Sequence, residues 1–490
     1  MAWFGVVLLV LALVLMMSTG WPTFAVLLGV CSVGAVAGLA GGSFDAALLG
    51  SLPGRILGLL EHDLLQALAL YALVGALLHR LAIADDLFGA LCKAGSYVSP
   101  RSAPALAGFV LGGLLAPMNG SVGASLSTLS QTAGRQWAAA GMVPQRRVAL
   151  VAVASTLGVV IPPSLVLLLL GDAMLRAHTE GLNIARRMNL PLAGADIRIV
   201  NSQDVLQAIL LPAAVLMLGW LLIAAWRSRG AAATPPAAWQ RREAWTLAIV
   251  PATIAALLTL VTIGRVRAVE AAAAAGVLLL LWGIASRRLT RALLWQVLDD
   301  AMTLTGALFA LLVAATSFSL LLRALGTDDL AAELMLAFQG RPLPATLVVM
   351  ALLLGCAFVL DAFELIFLVV PIVMPPLLTQ VGDAAWVAVL ALLVLQVGFL
   401  LPPFGYAVVL ARGQNPPRTP LAALAGELLP YLGWLACVMA LVIAAPQITR
   451  WLRASAPTLE SQRALGGDDV ERLMREMSQP RGEPASAPWP

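Results

Sequence analysis

The sequence predicts an all-α integral membrane protein with an inverted repeat, two re-entrant hairpins and two discontinuous helices. Of the 490 residues, 60% are hydrophobic and 11% are charged, and the mean hydropathy is +0.92. This composition is typical of chains that lie in a bilayer. The stretches STLGVVIPPS (155–164) and LQVGFLLPPFG (395–405) each place a glycine and a proline pair inside an apolar segment. A charged stretch separates them, which predicts two halves of the same design.

Apolar segments of about 20 residues predict the membrane spans. Only 6% of the residues are aromatic and aliphatic residues dominate, which favours helices over the strands of a membrane barrel. The chain is long enough for roughly 11–14 membrane segments. The apolar segments lie near 2–18, 22–40, 64–82, 103–118, 147–171, 205–226, 244–263, 269–285, 301–323, 343–360, 364–379, 385–411 and 421–445.

The stretch WRSRGAAATPPAAWQRRE divides the chain. It is rich in arginine and contains two prolines, and basic loops beside spans lie in the cytoplasm. The segments after Gly41 and after Arg287 are shorter and amphipathic, which predicts arm helices along the membrane surface. We expect a first half (1–226) that contains scaffold helices, a hairpin and a broken helix. A cytoplasmic linker (227–243) joins it to a second half (244–450), which contains a second hairpin and a second broken helix. The chain ends in a flexible C-terminal tail (451–490).

The paired breaks indicate a transporter. Proline removes a backbone donor and lipid offers no replacement, so a broken helix at membrane depth is buried in protein or lines a wet cavity. A single proline pair in a span is more often a kink than a site. Here interruptions recur at matching positions of two halves, which indicates a binding site near the bilayer midplane. At an offset of 240 residues, Gly158, Pro162 and Pro163 correspond to Gly398, Pro402 and Pro403, and Ser121 corresponds to Asp361.

Several function classes are excluded by what the sequence contains. The net charge of +4 comes from basic residues in short loops beside spans, which indicates membrane orientation rather than nucleic-acid binding. His62, His79 and His178 have no metal-ligand spacing, and the motifs HExxH and GxSxG are absent, so we expect no catalytic residues, no cofactor and no enzyme. No GxxxxGK[ST] motif occurs, so ATP is not the direct energy source.

Four separated motifs resemble one family of membrane proteins. VASTLGVVIPPSLVLLLLGDAM resembles a signature of the large membrane subunit of tripartite ATP-independent periplasmic (TRAP) transporters. FVLDAFELIFLVVPIVMPPL and LQVGFLLPPFGYAVVLARG resemble the matching second-half signatures, and VEAAAAAGVLLLL resembles the family's Glu-Ala-Ala stretch at the start of a span. The resemblance covers most of residues 1–450. LDAFE and PPFGYAVVLARG are most similar to the mannitol/chloroaromatic branch.

The resemblance implies a sodium-driven secondary transporter of the bacterial inner membrane that imports an organic acid. A soluble periplasmic solute-binding protein would deliver the acid, and a small membrane subunit of about four helices, which we expect to be a separate chain, would support the large one. Transport in the family is elevator-like, because a substrate-holding domain slides against a fixed scaffold.

The sequence departs from the family pattern in three places. The first hairpin usually reads Ser-Gly-Ser, whereas this chain has Asn119-Gly120-Ser121; asparagine still offers a carbonyl oxygen. Leu401 stands where the second break often carries threonine, and Val159 stands where close relatives tend to have a polar residue. These differences predict a drier site that suits a less polar substrate.

The candidate ion- and substrate-binding residues are those that bear oxygens or form the breaks. Sodium is a hard cation and, like other hard cations, prefers oxygen ligands, and intramembrane carboxylates are costly and usually functional. The candidates are Asn119, Gly120, Ser121, Ser155, Thr156, Gly158, Pro162, Pro163, Asp361, Glu364, Gln396, Gly398, Pro402 and Pro403. Among them Ser121, Thr156 and Asp361 are the candidate sodium ligands.

Simpler interpretations of these residues stay open. The hydroxyls of Ser155 and Thr156 can bond back to helix carbonyls, and Asp361 can be a helix cap at the hairpin tip. Arg135 could hold an organic anion or could be an interfacial arginine. A second function also stays open, a stand-alone ion-coupled carrier of divalent-anion type that needs no binding protein.

Overall fold

In the computed structural model, the regular secondary structure of the described part is entirely helical. That part is residues 2–451 without 43, 46, 48–49, 61–62, 82, 116–120, 163, 189–200, 230–238, 240 and 417–418. No β-strand occurs within these residues, so the prediction of an all-α fold is confirmed. Apart from Trp451, the predicted tail (451–490) lies outside the described residues, as does most of the predicted linker.

The first half runs to the end of the helix before the linker. Its helices are α1 (Ala2–Thr19), α2 (Thr23–Ala40), α3 (Leu52–Leu60), α4 (Asp63–Arg80), α5 (Ile83–Val98), α6 (Ala103–Leu115), α7 (Val122–Leu129), α8 (Arg135–Ala139), α9 (Pro144–Ser155), α10 (Leu165–Arg187) and α11 (Ser202–Arg227). A π-helical segment, Ser130–Gly134, joins α7 to α8, and a 3₁₀ turn, Thr156–Val159, follows α9.

The second half repeats this order of elements. Its helices are α12 (Arg241–Thr262), α13 (Ala268–Ala285), α14 (Arg291–Ala324), α15 (Thr327–Leu336), α16 (Pro342–Ala357), α17 (Ala362–Glu364), α18 (Val370–Leu378), α19 (Ala384–Leu400), α20 (Tyr406–Gln414), α21 (Leu421–Ala444) and α22 (Gln447–Arg450). A π-helical segment, Leu365–Val369, joins α17 to α18. Both predicted hairpins therefore contain a π-helical segment in their second arm.

The number of helices that can span a bilayer alone is smaller than the predicted number of membrane segments, 11–14. In the described part six helices, α1, α2, α11, α13, α14 and α21, are long and apolar enough, and a seventh span results if the bent pair α4 and α5 is counted as one. The predicted number of membrane segments also includes hairpin arms and half-helices, so it stays a prediction. Several of these segments form shorter helices of 13–17 residues, such as α6, α16 and α19.

The prediction of a separate second arm helix was wrong. Arg291 to Ala324 form one continuous helix of 34 residues, whose N-cap Thr290 accepts a hydrogen bond from the amide of Leu293 at 3.2 Å. No proline interrupts this segment and its only glycine is Gly306, so nothing in the sequence forces a break between arm and span. At 1.5 Å per residue α14 is about 51 Å long, whereas a hydrocarbon core is about 30 Å thick. In the first half the predicted arm does contain a separate helix, α3.

Two tryptophans join the closing helices of the two halves. Trp220 of α11 donates its indole N–H to the carbonyl of Tyr431 at 3.0 Å, and Trp434 of α21 donates to the carbonyl of Val215 at 3.1 Å. Gly219 permits this approach, because a Cβ there would lie 1.9 Å from the indole nitrogen of Trp434. The exchange is reciprocal, so each helix contributes the same kind of donor and acceptor.

Ion pairs also connect the halves. Arg80 of α4 binds Asp300 of α14 at 2.7 Å, and Arg227 at the end of α11 binds Glu427 of α21 at 3.0 Å. Arg227 also donates to the carbonyl of Gly426 at 3.4 Å. That carbonyl lacks a helical partner because the residue four positions later is Pro430, which has no N–H. Partly exposed pairs of this kind contribute at most about 1 kcal/mol each, so they align the halves more than they stabilise them.

Candidate functional site

The first broken helix interrupts where the sequence predicts. The α-helical pattern ends at Ser155, and Thr156–Val159 forms a 3₁₀ turn that contains Gly158. The chain becomes helical again at Leu165, where the hydroxyl of Ser164 caps α10 by accepting from the amide of Leu167 at 3.1 Å. Pro162 is buried in the break, and Pro163 lies outside the described residues.

The second broken helix has the same layout. α19 ends at Leu400, and Pro402 and Pro403, which are joined by a cis peptide bond, lie in the turn before α20. Gly398 lies in the last turn of α19, against the end of α16. A Cβ at Gly398 would lie 2.5 Å from that of Ala357, so this position tolerates only glycine without movement of the hairpin.

The two hairpin tips carry helix caps at corresponding positions. Ser121 caps α7, because its hydroxyl accepts from the amide of Ala124 at 3.1 Å. Asp361 and Glu364 form a capping box on α17: Asp361 accepts from the amide of Glu364 and Glu364 accepts from the amide of Asp361, both at 2.9 Å. The simpler interpretation of Asp361 as a cap is thus realised in the structure. Asn119 and Gly120 lie outside the described residues.

A hydrogen bond joins the two broken helices directly. The side-chain amide nitrogen of Gln396 donates to the hydroxyl of Thr156 at 3.0 Å, and both side chains are fully buried. These residues are 240 positions apart, the same offset that relates Gly158 to Gly398. Equivalent residues of two repeats can touch each other only on the axis that relates them. For two halves related by a pseudo-two-fold axis, as the repeat predicts, this pair would lie on that axis.

The polar groups around this pair are not all satisfied. The hydroxyl of Thr156 donates to the carbonyl of Val153 at 2.9 Å and that of Ser155 donates to Ala152 at 2.8 Å, so the back-bonded interpretation of both hydroxyls is also realised. The side-chain carbonyl oxygen of Gln396 is buried, and it has no hydrogen-bond partner within the described residues. A buried acceptor without a partner costs about 1–3 kcal/mol and is able to bind a cation or a water molecule.

The hairpins and the broken helices exchange contacts between the halves. The first hairpin packs through α7 against the 3₁₀ turn of its own half and against α20 of the other half. The second hairpin packs through α17 against α10 of the first half. The N-termini of short helices and the two breaks are thus brought together in one region, where helix dipoles favour an anion at the N-termini and free carbonyls favour a cation.

Some residues of this region have no signal in the sequence. The carboxylate of Glu364 accepts a short hydrogen bond from the hydroxyl of Thr23, the first residue of α2. Thr23 is an ordinary polar residue at the start of a span, and only the fold reveals its partner. Aromatic rings flank the second break: Phe358 and Phe404 are 6.5 Å apart between centroids. Their places beside LDAFE and Pro-Pro could have identified them.

Arg135 does not belong to the breaks. It begins α8, its side chain is exposed, and its Nε donates to the carbonyl of Gln131 within the same helical segment. The interfacial interpretation therefore describes it better than that of an anion ligand. In the described part of the chain no three histidine, cysteine or acidic side chains cluster closely enough to hold a metal ion. A cation here would bind hydroxyl, amide and backbone oxygens together with Asp361 or Glu364.

Comparison with known proteins agrees with this architecture. The YdaH transporter of Alcanivorax borkumensis, whose structure is described as having an unusual topology, matches 84% of this chain and 90% of its own at a TM-score of 0.53 and 17% identity, a likeness of fold alone. The sialic acid TRAP transporter permease SiaT of Haemophilus influenzae is 28% identical over 163 residues, and the large permease SiaM of Vibrio cholerae is 29% identical over 189. These matches span 33% and 38% of this chain but only 26% and 43% of the relatives. The sequence model of one protein family, the DctM component of tripartite ATP-independent periplasmic transporters, matches residues 6–448. The chain therefore belongs to that family.

Proposed function

We propose that the chain is the large permease of a sodium-coupled, binding-protein-dependent transporter that imports an organic acid across the inner membrane. The observation that carries the proposal is the bond between Thr156 and Gln396 at the meeting point of the two broken helices. A buried oxygen without a partner beside this bond supports a cation site. The family membership supports the general role of a large transporter permease.

Sodium would bind at the breaks and at the hairpin tips. Gln396 offers its free carbonyl oxygen, Thr156 retains one lone pair after donating and accepting once, and Asp361 retains acceptor sites beyond its capping bond. Sodium entry down about 100 mV supplies roughly 2.3 kcal/mol per charge, and a tenfold gradient adds about 1.4 kcal/mol. Two ions would supply roughly 7 kcal/mol, enough to accumulate a monoanion against its own charge.

An organic acid suits the remaining features of the region. Its carboxylate would lie near the capped helix N-termini at Ser121 and Ser164, where free amides and the helix dipole favour an anion. Phe358 and Phe404 would contact an apolar part of the solute. The matched relatives are named as sialic acid transporters, which makes sialic acid one solute to test among shorter carboxylates.

Movement of an elevator type would carry this site between the two faces. The hairpins and broken helices pack on one another, whereas α2 and α14 belong to the long helices that would form a scaffold with the small membrane subunit. The bond between Glu364 and Thr23 joins the second hairpin to the scaffold, so it would break or change partners in each cycle.

Reconstitution tests the proposal against the stand-alone alternative. The chain is placed in proteoliposomes with and without a candidate four-helix subunit and a candidate binding protein from the same organism. Uptake of labelled sialic acid and of C3–C9 carboxylates is then measured under a sodium or a choline gradient. We expect saturable uptake only with all three proteins and only with sodium. Saturable uptake by the chain alone would favour the divalent-anion type of carrier, and equal uptake in choline would remove sodium from the mechanism.

A further inference from the structure

A cavity of about 580 Å³ lies between α10 and α14, and none of the predicted site residues that the structure describes lines it. Its floor is formed by the π-helical segment and α18 of the second hairpin, and Arg55 of α3 lies at its rim. A volume of this size is typical of sites that hold small organic molecules. The cavity is therefore separate from the helix breaks, although it touches the hairpin that carries Asp361.

Most of the wall is apolar. Leu169 of α10, Leu312 of α14 and Phe367 of the second hairpin face the same space, together with the prolines of α18. Such a surface favours an apolar body, because burying it removes hydrocarbon from water at about 25 cal/mol per Å².

The charged side chains that the structure describes in this wall carry a positive excess. Asp172 binds Arg176 at 2.9 Å, and Glu180 lies 3.8 Å from Arg323 of α14. Arg55 is the third lining arginine, and its exposed side chain makes no ion pair with the side chains that the structure describes. Among the lining side chains that the structure describes, three cations against two carboxylates leave one positive charge for a ligand, and an arginine fork suits a carboxylate or a phosphate.

We propose that this cavity binds an amphiphilic organic anion, with its apolar body between α10 and α14 and its acidic group at Arg55. The acidic group is a carboxylate or a phosphate ester, so the ligand is either a free organic acid or an anionic lipid. The binding step does not depend on the proposed transport function.

Binding at this place would restrain the transporter, an expectation that rests on the proposed function. One wall of the cavity belongs to α14 of the scaffold, and the other belongs to α10 and the second hairpin, which would move. A ligand that contacts both walls stabilises the arrangement seen here relative to arrangements in which the walls have separated. It therefore acts as an inhibitor that does not compete with the solute.

Binding is tested without sodium, solute or partner proteins, so the outcome is independent of the transport proposal. Labelled laurate is titrated against the delipidated chain in phosphatidylcholine nanodiscs. We expect saturable binding of laurate to the wild type. Arg55→Gln should weaken this binding at least tenfold, and Leu312→Trp should abolish it by filling the cavity. Dodecanol, which lacks the acidic group, should displace labelled laurate at least tenfold less well than unlabelled laurate does. Arg101→Gln, an exposed arginine outside this cavity, is the matched control and should bind like the wild type.

Two further measurements separate the sources of the ligand. If native mass spectrometry finds phosphatidylglycerol on the wild type and not on Leu312→Trp, and this lipid displaces laurate, the natural ligand is the lipid. If only free acids displace laurate, it is an organic acid. In proteoliposomes laurate should lower maximal uptake by the wild type, whereas Arg55→Gln should keep its basal uptake and resist laurate. Absence of saturable laurate binding, or equal affinity of Arg55→Gln and Arg101→Gln, would overturn the proposal.

Discussion

Replacement of Gln396 by leucine separates a structural role of this side chain from a role in sodium binding. The substitution keeps the side chain at a similar size and removes its bond to Thr156, which is worth about 0.5–1.5 kcal/mol. It also removes the buried carbonyl oxygen that has no partner within the described residues, which relieves about 1–3 kcal/mol. Thr156 still donates to Val153. Without sodium, Gln396→Leu should therefore be as stable as the wild type or slightly more stable.

With sodium the two proteins should differ. A ligand at a hundred times its Kd stabilises the folded state by about 2.7 kcal/mol, and the wild type should show this as a rise in Tm on replacing choline by sodium. Loss of one oxygen contact to a cation costs about 1.5–3 kcal/mol, which weakens sodium binding by about 10- to 150-fold. Gln396→Leu should thus need at least tenfold more sodium for the same rise in Tm.

The assay is thermal unfolding of the purified chain across a sodium titration at constant ionic strength. Gln380→Leu, the same substitution in the loop after α18, is the matched control and should keep the wild-type sodium midpoint. Thr156→Val should weaken sodium binding in the same direction but by less, because it removes a neutral hydroxyl at nearly constant shape. If Gln396→Leu keeps the wild-type sodium midpoint, Gln396 is not a sodium ligand and the proposed cation site beside Thr156 is wrong.

Three other outcomes are expected. Asp361→Ala removes a charged oxygen, so the sodium midpoint of uptake at matched expression should rise tenfold or more, and an unchanged midpoint would exclude Asp361 as a ligand. Gly398→Ala should reduce uptake because the new methyl group has no room, whereas Gly355→Ala, which meets open space, should leave uptake unchanged; equal uptake by both would show that the hairpin yields. Single cysteines at 120 and 361 should be labelled from opposite faces of the membrane, and labelling from the same face would refute inverted repeats.

The sequence predicts the breaks well because their cause is local. Proline cannot donate within a helix, and a repeated spacing shows that the interruption at Gly158 and at Gly398 is the same feature. The amphipathic pattern after Arg287 did not reveal that the arm segment continues into the following span as one helix, α14. A helix can pass from the membrane surface into the bilayer without a residue that marks the change. The number of complete spans is harder to predict, because hairpin arms and half-helices are as apolar as complete spans.

The hydrogen-bond partners of the candidate residues depend on tertiary structure, so they were harder to predict from the sequence. Whether Ser155 and Thr156 bond to a helix carbonyl or to an ion depends on rotamers that sequence does not determine. The bond between Glu364 and Thr23 joins positions 341 residues apart, and neither residue belongs to a pattern that selects the other. The contact of Gln396 with Thr156 is compatible with the repeat, because equivalent residues can meet on a two-fold axis, but the repeat does not say which pair meets there.

The reciprocal tryptophan bonds between α11 and α21 have a consequence for how the chain assembles. An interface in which each side offers the same kind of donor and acceptor resembles the isologous interfaces that hold two identical subunits about a two-fold axis. In this respect the polypeptide is a covalent dimer, and the linker mainly raises the effective concentration of one half for the other. A chain cut between residues 230 and 238 should therefore still assemble when both fragments are synthesised together. Assembly should then depend on fragment concentration, as dimerisation does.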